Sequence, residues 1–175
     1  MSETEGDPDT VYSTLRASIV EHVFIGDLFR RLWERRVFDV EVLRGEIDAG
    51  GYDVVFRYGK IFRHIQLKTG YTDGSKRSVP VNLKIGDKPS GCVIWIILTR
   101  DLKIDSFLWF GGLPGTRFPD IQSMRVTKQT RGPPGAKKPR SSHRNLPSSR
   151  FKKLKTHDEV LAKLFGDLPV ALPLP

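Results

Sequence analysis

Three residues of this chain have the types and the spacing for chemistry on a charged ester: Asp53, Gln66 and Lys68. Asp53 follows Gly50-Gly51-Tyr52 and opens the apolar stretch Val54-Val55, while Gln66 and Lys68 close Ile65-Gln66-Leu67-Lys68-Thr69. Side chains alternate along a strand, so Gln66 and Lys68 leave one face together. A hairpin pairing the two stretches brings Asp53 close to them. A carboxylate, an amide oxygen and an ammonium at one sheet edge suit a hard divalent cation with a phosphodiester beside it. Surface hairpins also carry an acid and a lysine by chance, so the triplet alone leaves a structural reading open.

The elements that must hold these residues can be read around them. Val54, Val55, Phe56 and Tyr58 precede Gly59-Lys60, and Ile61, Phe62, Ile65 and Leu67 follow. β-branched and aromatic residues about a two-residue turn with glycine predict a hairpin. On its second strand Ile61, Arg63, Ile65 and Leu67 share one face. Phe62, His64, Gln66 and Lys68 share the other, which grows more polar toward its end. His64 reads as structural or solvated, because nothing else suggests a histidine ligand set. Upstream, Ser13 to Arg36 lacks proline and carries Leu15, Ile19, Val23, Phe24, Leu28, Phe29, Leu32 and Trp33 at helical spacings. Ser13 or Thr14 can cap that helix. On its wheel Arg16, Asp27, Arg30, Arg31 and Glu34 gather on one side. Glu21 falls instead among Ala17, Phe24, Ile25, Leu28 and Leu32, the face turned to the rest of the protein. A lone carboxylate there needs a partner or a metal. It either pairs with one of the arginines or points into the same site as Asp53. His22 reads as packing or solvent.

Charge adds a second line. The chain has 29 Lys plus Arg against 20 Asp plus Glu, a net charge of +9. Eleven of the cations lie in residues 125–155, which hold no acid: Arg125, Lys128, Arg131, Lys137, Lys138, Arg140, Arg144, Arg150, Lys152, Lys153 and Lys155. The remainder, 18 basic against 20 acidic residues, is close to neutral. A basic segment on a neutral body is the electrostatic footprint of a polyanion binder. The alternative is a solvated segment that only aids solubility.

A helix glutamate, then Gly-Tyr-Asp-Val-Val, then Ile-Gln-Leu-Lys-Thr resembles the PD-(D/E)xK nuclease superfamily, the restriction-endonuclease-like fold, over roughly residues 13–110. The nearest pattern is the Mrr-like branch, in which Gln replaces the first acid of the motif to give QxK. The resemblance implies an α/β fold with a central mixed sheet flanked by helices. It implies a metal-dependent endonuclease that hydrolyses phosphodiester bonds in DNA, with RNA as the other candidate substrate. Asp53 would be the metal-binding aspartate, Gln66 would occupy the variable position, Lys68 would be the motif lysine, and Glu21 would match the first-helix glutamate. Mg²⁺ or Mn²⁺ would be held by Asp53, Gln66 and Glu21 with the Leu67 carbonyl, while Lys68 holds or deprotonates the attacking water. Asp48 and Glu46 are second-choice ligands that read first as turn residues. Tyr52 stands where the motif name has proline, and Gln66 removes one negative ligand. Superfamily members often dimerise, so a homodimer is within what the resemblance implies. A nucleic-acid-binding module on the same fold, without chemistry, is the competing function.

The remaining sequence predicts one domain. Residues 1–11 read as a disordered acidic terminus without signal-peptide character, and 12–124 as the core. Residues 125–155 read as a basic loop rich in Pro, Gly and Ser that cannot build a core. Lys128, Arg131, Lys137, Lys138, Arg140, Arg144, Arg150, Lys152 and Lys153 are its candidate nucleic-acid contacts. A final helix over 156–167 should dock back on the core, started near Thr156 and stopped by Gly166, before a tail over 168–175. Val37 to Leu43 predicts the first strand, Cys92 to Leu98 a buried central strand, and Asp105 to Phe110 another. Val79 to Asp87 fits a strand or a short helix, with the helix favoured. Trp33, Trp95 and Trp109 read as core, and Cys92 as a small core residue rather than a nucleophile. Gly111-Gly112-Leu113-Pro114-Gly115 lacks the Gly-Lys-Ser/Thr ending of a phosphate loop. No apolar run is long enough to span a membrane. The expected location is cytoplasmic, or nucleoid-associated in a bacterium.

Overall fold

The long proline-free stretch forms helix α1 (Ser13–Glu34), which ends as Arg36 enters the left-handed region at φ 58° and Val37 donates its N–H to the Leu32 carbonyl. This is a computed structural model, and it describes residues 11–45, 50–128 and 139–170. Val20, Phe24, Ile25, Leu28 and Leu32 are the buried face of α1. Leu15, Ile19, Val23, Phe29 and Trp33 form a second apolar row on the outward side. The expectation that Trp33 is core therefore fails. It is 60% exposed and packs edge-on against Phe38 at 5.2 Å, because apolar residues occupy both sides of this helix and only one side meets the sheet.

Among the described residues nine strands follow in chain order: β1 (Val40–Leu43), β2 (Val54–Tyr58), β3 (Ile61–Tyr71), β4 (Ser78–Asn82), β5 (Cys92–Leu98), β6 (Ile104–Gly111), β7 (Val126–Lys128), β8 (Pro139–Pro147) and β9 (Lys152–Leu154). Six of them make a mixed sheet in the order β1-β2-β3-β5-β6-β9. β3 and β5 run parallel, and the other neighbours are antiparallel. The predicted hairpin is β2–β3. Tyr58 faces Ile61, and Gly59 supplies the positive φ (56°) that tight hairpin turns need at a central position. β5 is apolar throughout because both its faces are covered. Cys92, Ile94, Ile96 and Leu98 join one core with α1, while Val93 and Trp95 join a second core on the other side.

That second core lies beneath a three-stranded sheet, β4-β8-β7, which the sequence reading did not anticipate. Two expectations are corrected there. Residues 78–82 are a strand, and only Leu83–Asp87 coil into a short 3-10 turn in place of the favoured helix. Asn82 turns the chain by accepting the Lys84 N–H on its side-chain oxygen. The described part of the basic segment is also not a draped loop. β7, β8 and β9 pair into sheets, with Thr127, Leu146 and Leu154 buried. β4 lends β8 its ladder, so a polar, proline-containing sequence becomes a strand through long-range pairing rather than propensity.

The final helix, α2 (His157–Phe165), forms as expected. Thr156 and Glu159 make a reciprocal capping box, and Gly166 ends the helix at φ 79°. Val160, Leu161, Leu164 and Phe165 dock on the α1 side of the sheet. Burial alone would raise the Asp158 carboxyl, but Arg31 at 2.5 Å and Arg35 at 3.0 Å outweigh it and hold it below its usual value. Among the described residues no helix is long and apolar enough to cross a membrane. The structure is thus α/β, a mixed sheet with two helices on one face and a small sheet on the other.

Candidate active site at the open edge of strand β3

The ladder between β2 and β3 begins at Val54 opposite Ile65, while β3 runs on to Tyr71. Among the described residues, the second half of β3, from Gln66 on, therefore has a partner, β5, on one side only. Asp53 stands where β2 gives out. Its N–H donates to the Ile65 carbonyl at 2.9 Å, and its Oδ2 accepts the Leu67 N–H at 2.6 Å. The carboxylate thus takes the place of the next ladder bond. Because N–H and C=O of one strand residue point the same way, the Leu67 carbonyl faces this edge as well.

A cavity of about 730 Å³ wraps the edge. From the α1 side it is lined by Ala17, Val20 and Glu21, and from the sheet by Asp53, Leu67 and Lys68. The small sheet closes it with Arg125, Lys128 and Asn145. Three of the four expected site residues, Glu21, Asp53 and Lys68, therefore share one cavity. Both expectations for Glu21 hold together: it lines the cavity and pairs with Arg44 at 3.1 Å.

Gln66 departs from the expected arrangement. It is 6% exposed, and its Oε1 accepts the Asn82 N–H at 3.2 Å. The amide oxygen meets the end of β4, not the cavity. The alternation placed Gln66 and Lys68 on one face, but the small sheet bonds Gln66 through Asn82 and faces Lys68 across the cavity. Glu46 and Asp48 lie outside the described residues. His64 is structural, as expected. Its Nδ1 lies 3.1 Å from the Pro89 carbonyl, Tyr52 packs edge-on at 4.9 Å, and burial lowers its pKa. His22 Nδ1 sits 2.7 Å from the Ser18 carbonyl.

The basic residues divide by position. Lys128 lines the cavity, joined by two cations not singled out beforehand, Lys76 and Arg125. The cavity lining thus carries Lys68, Lys76, Arg125 and Lys128 against two carboxylates. Arg144 is structural, since it donates to the Gln122 and Ser141 carbonyls. Arg140, Arg150, Lys152 and Lys153 are exposed, and Arg131, Lys137 and Lys138 lie outside the described residues. Lys76 had no signal in the sequence. Asn82 had one, an Asn closing an alternating run.

Two buried groups lie away from the cavity. Burial pushes the Cys92 thiol up to about 12, which fits a core residue and not a nucleophile. Arg63 is fully buried, and burial lowers its pKa. Its Nη2 donates to the Gly112 carbonyl at 3.1 Å and its guanidinium sits 5.1 Å from the Trp109 ring, while Nε and Nη1 have no hydrogen-bond partner among the described residues.

No protein-family model, curated protein or solved structure matches this chain.

Proposed function

We propose that this chain is a divalent-metal-dependent nuclease of restriction-endonuclease-like fold that hydrolyses phosphodiester bonds in DNA. The observation that carries the reading is the cavity at the open edge of β3, where Asp53, Glu21 and Lys68 meet inside a rim of cations. Carboxylates alone would repel a phosphodiester. Lys76, Arg125 and Lys128 around them offset that repulsion and draw the polyanion in.

Among the described residues no three His, Cys, Asp or Glu side chains gather for a metal ion, so Mg²⁺ or Mn²⁺ would rest on two carboxylates, a backbone carbonyl and water. Both ions take oxygen ligands, and Mg²⁺ keeps several waters, so a few protein oxygens suffice. Asp53, the Leu67 carbonyl and Glu21 would hold the ion. A bound ion would supply Lewis-acid polarisation of a phosphoryl oxygen and a more acidic water. Gln66 acts as a positioning residue: by bonding Asn82 it fixes the strand that carries Lys68 against the small sheet. Lys68 brings a compact cation to the reacting phosphate, where it orients the attacking water or neutralises developing charge.

The competing reading, a nucleic-acid-binding module without chemistry, is favoured by one observation. The Glu21 carboxylate already has a cation in Arg44, and Gln66 is committed elsewhere. The test is cleavage of supercoiled, linear, single-stranded and branched DNA with Mg²⁺ or Mn²⁺. Metal-dependent cutting of any of them supports the nuclease. Binding without cutting, with either ion, supports the module.

A further inference from the structure

A second cavity, of about 790 Å³, adjoins the first: Thr69 and Lys76 line both. It wraps the end of the main sheet, from Arg16 and Tyr71 on the α1 side to Trp95 and Leu108 on the other. Arg16, Lys76, Arg77, Arg100 and Lys153 line it against two acids, Asp73 and Asp105. Tyr71 organises two of these cations. The Arg16 guanidinium lies 5.4 Å from its ring centre and donates to its hydroxyl at 3.3 Å, and the Arg100 guanidinium lies 4.3 Å from the same ring. Guanidinium groups already held in place lose little freedom on binding phosphate, and their planar forks match its oxygens. Arg100 also meets Asp73 at 3.0 Å, but both side chains are more than half exposed, and such a pair yields easily to a phosphate. Gly70 keeps the floor low, since a Cβ there would sit 2.7 Å from the Trp95 Nε1.

The size limits the ligand. Cavities of about 300–1,000 Å³ take one small molecule, which here means a nucleotide or two. A duplex, whose major groove alone is about 12 Å wide, does not enter. Single strands bind in grooves whose cations track the backbone, and Arg16, Lys76, Arg77, Arg100 and Lys153 supply such cations here.

We propose that this cavity binds a single-stranded segment of DNA next to the phosphate held at Asp53 and Lys68, so that a substrate must present an unpaired stretch there. The order of the two sites along the strand rests on the nuclease reading, whereas the strand site is measured without turnover.

The experiment is fluorescence anisotropy of the wild-type protein in EDTA with a blunt duplex and with the same duplex bearing an overhang. It is repeated with Arg77→Ala/Arg100→Ala/Lys153→Ala, three exposed side chains outside the first cavity, after a circular-dichroism melt shows the variant folded. The wild type should prefer the overhang. The triple variant should lose that preference, bind the overhang roughly tenfold more weakly or worse, and show a log-log salt slope smaller by about two. Its affinity for the blunt duplex should not change. Equal wild-type affinity for the two DNAs overturns the proposal, as does an equal loss on both in the variant. Because EDTA removes the metal, a chain that never cuts DNA can still pass, and a nuclease can fail.

Discussion

Replacing Asp53 separates its two duties. Its Oδ2 accepts the Leu67 N–H at 2.6 Å at the point where β3 loses its neighbour, and the same carboxylate is the proposed metal ligand. A hydrogen bond to a charged group is worth about 1.5–3 kcal/mol, and one near solvent belongs at the low end. Asp53→Ala should therefore cost about 1.5 kcal/mol, a Tm drop of about 3–6 °C for a domain of this size. Asp53→Asn keeps an acceptor for the Leu67 N–H at neutral strength, so it should cost only about 0.5–1 kcal/mol. Both remove the charge. Each should abolish the rise in Tm that Mg²⁺ gives the wild type by binding only the folded state. Each should also slow cleavage by about a hundredfold or more. The assays are thermal melts with and without Mg²⁺ and a plasmid-nicking time course on all three proteins. An Asp53→Asn protein that still gains stability from Mg²⁺ and cuts near the wild-type rate would refute the ligand role. An Asp53→Ala protein that melts with the wild type would refute the edge-capping role.

Two further outcomes follow from buried groups. Arg63 is buried with two nitrogens that have no hydrogen-bond partner among the described residues, so Arg63→Met, similar in length and apolar, should leave stability equal or raise it by about 1–3 kcal/mol in a urea titration. A loss beyond about 1 kcal/mol would mean that the charge is compensated. Burial lowers the pKa of both His64 and His157, outweighing Asp27 at 3.4 Å from His157. The unfolded chain then takes up protons first, so the stability these histidines contribute is full above about pH 6.5 and declines as pH falls toward their folded values. His157→Gln should flatten the dependence of Tm on pH between about 7.5 and 5, and an unchanged slope would contradict the assignment.

What the sequence disclosed depended on how locally each feature is encoded. β5 could be read because a strand covered on both faces is apolar at every position, and α2 because Thr156, Glu159 and Gly166 mark its ends. The hairpin declared itself through Gly59. The small sheet did not, because β8 buries only Leu146 and owes its conformation to β4, more than fifty residues earlier. The helical wheel named the inward face of α1 through Phe24, Ile25, Leu28 and Leu32, but Trp33 was read as core from its residue type and lies on the second, outward apolar row. For the site, alternation gave the face of Gln66 and Lys68 but not the extent of what covers it. Asn82 closes over the first and leaves the second in the cavity. The helical wheel put Glu21 on the inward face but left open whether it met an arginine or the Asp53 site, and it gave no sign of Arg44 as the partner.

Lys68→Ala tests the central claim most directly, with binding and cleavage of the preferred DNA measured side by side at matched salt. The variant should bind within about threefold of the wild type, since Lys76, Arg125 and Lys128 still line the cavity. Its Mg²⁺-dependent cleavage should fall by about two orders of magnitude or more, as for the loss of one transition-state contact. If neither protein cuts DNA with Mg²⁺ or Mn²⁺, or if the variant loses affinity while its bound complex cuts at the wild-type rate, the catalytic role of this site is contradicted.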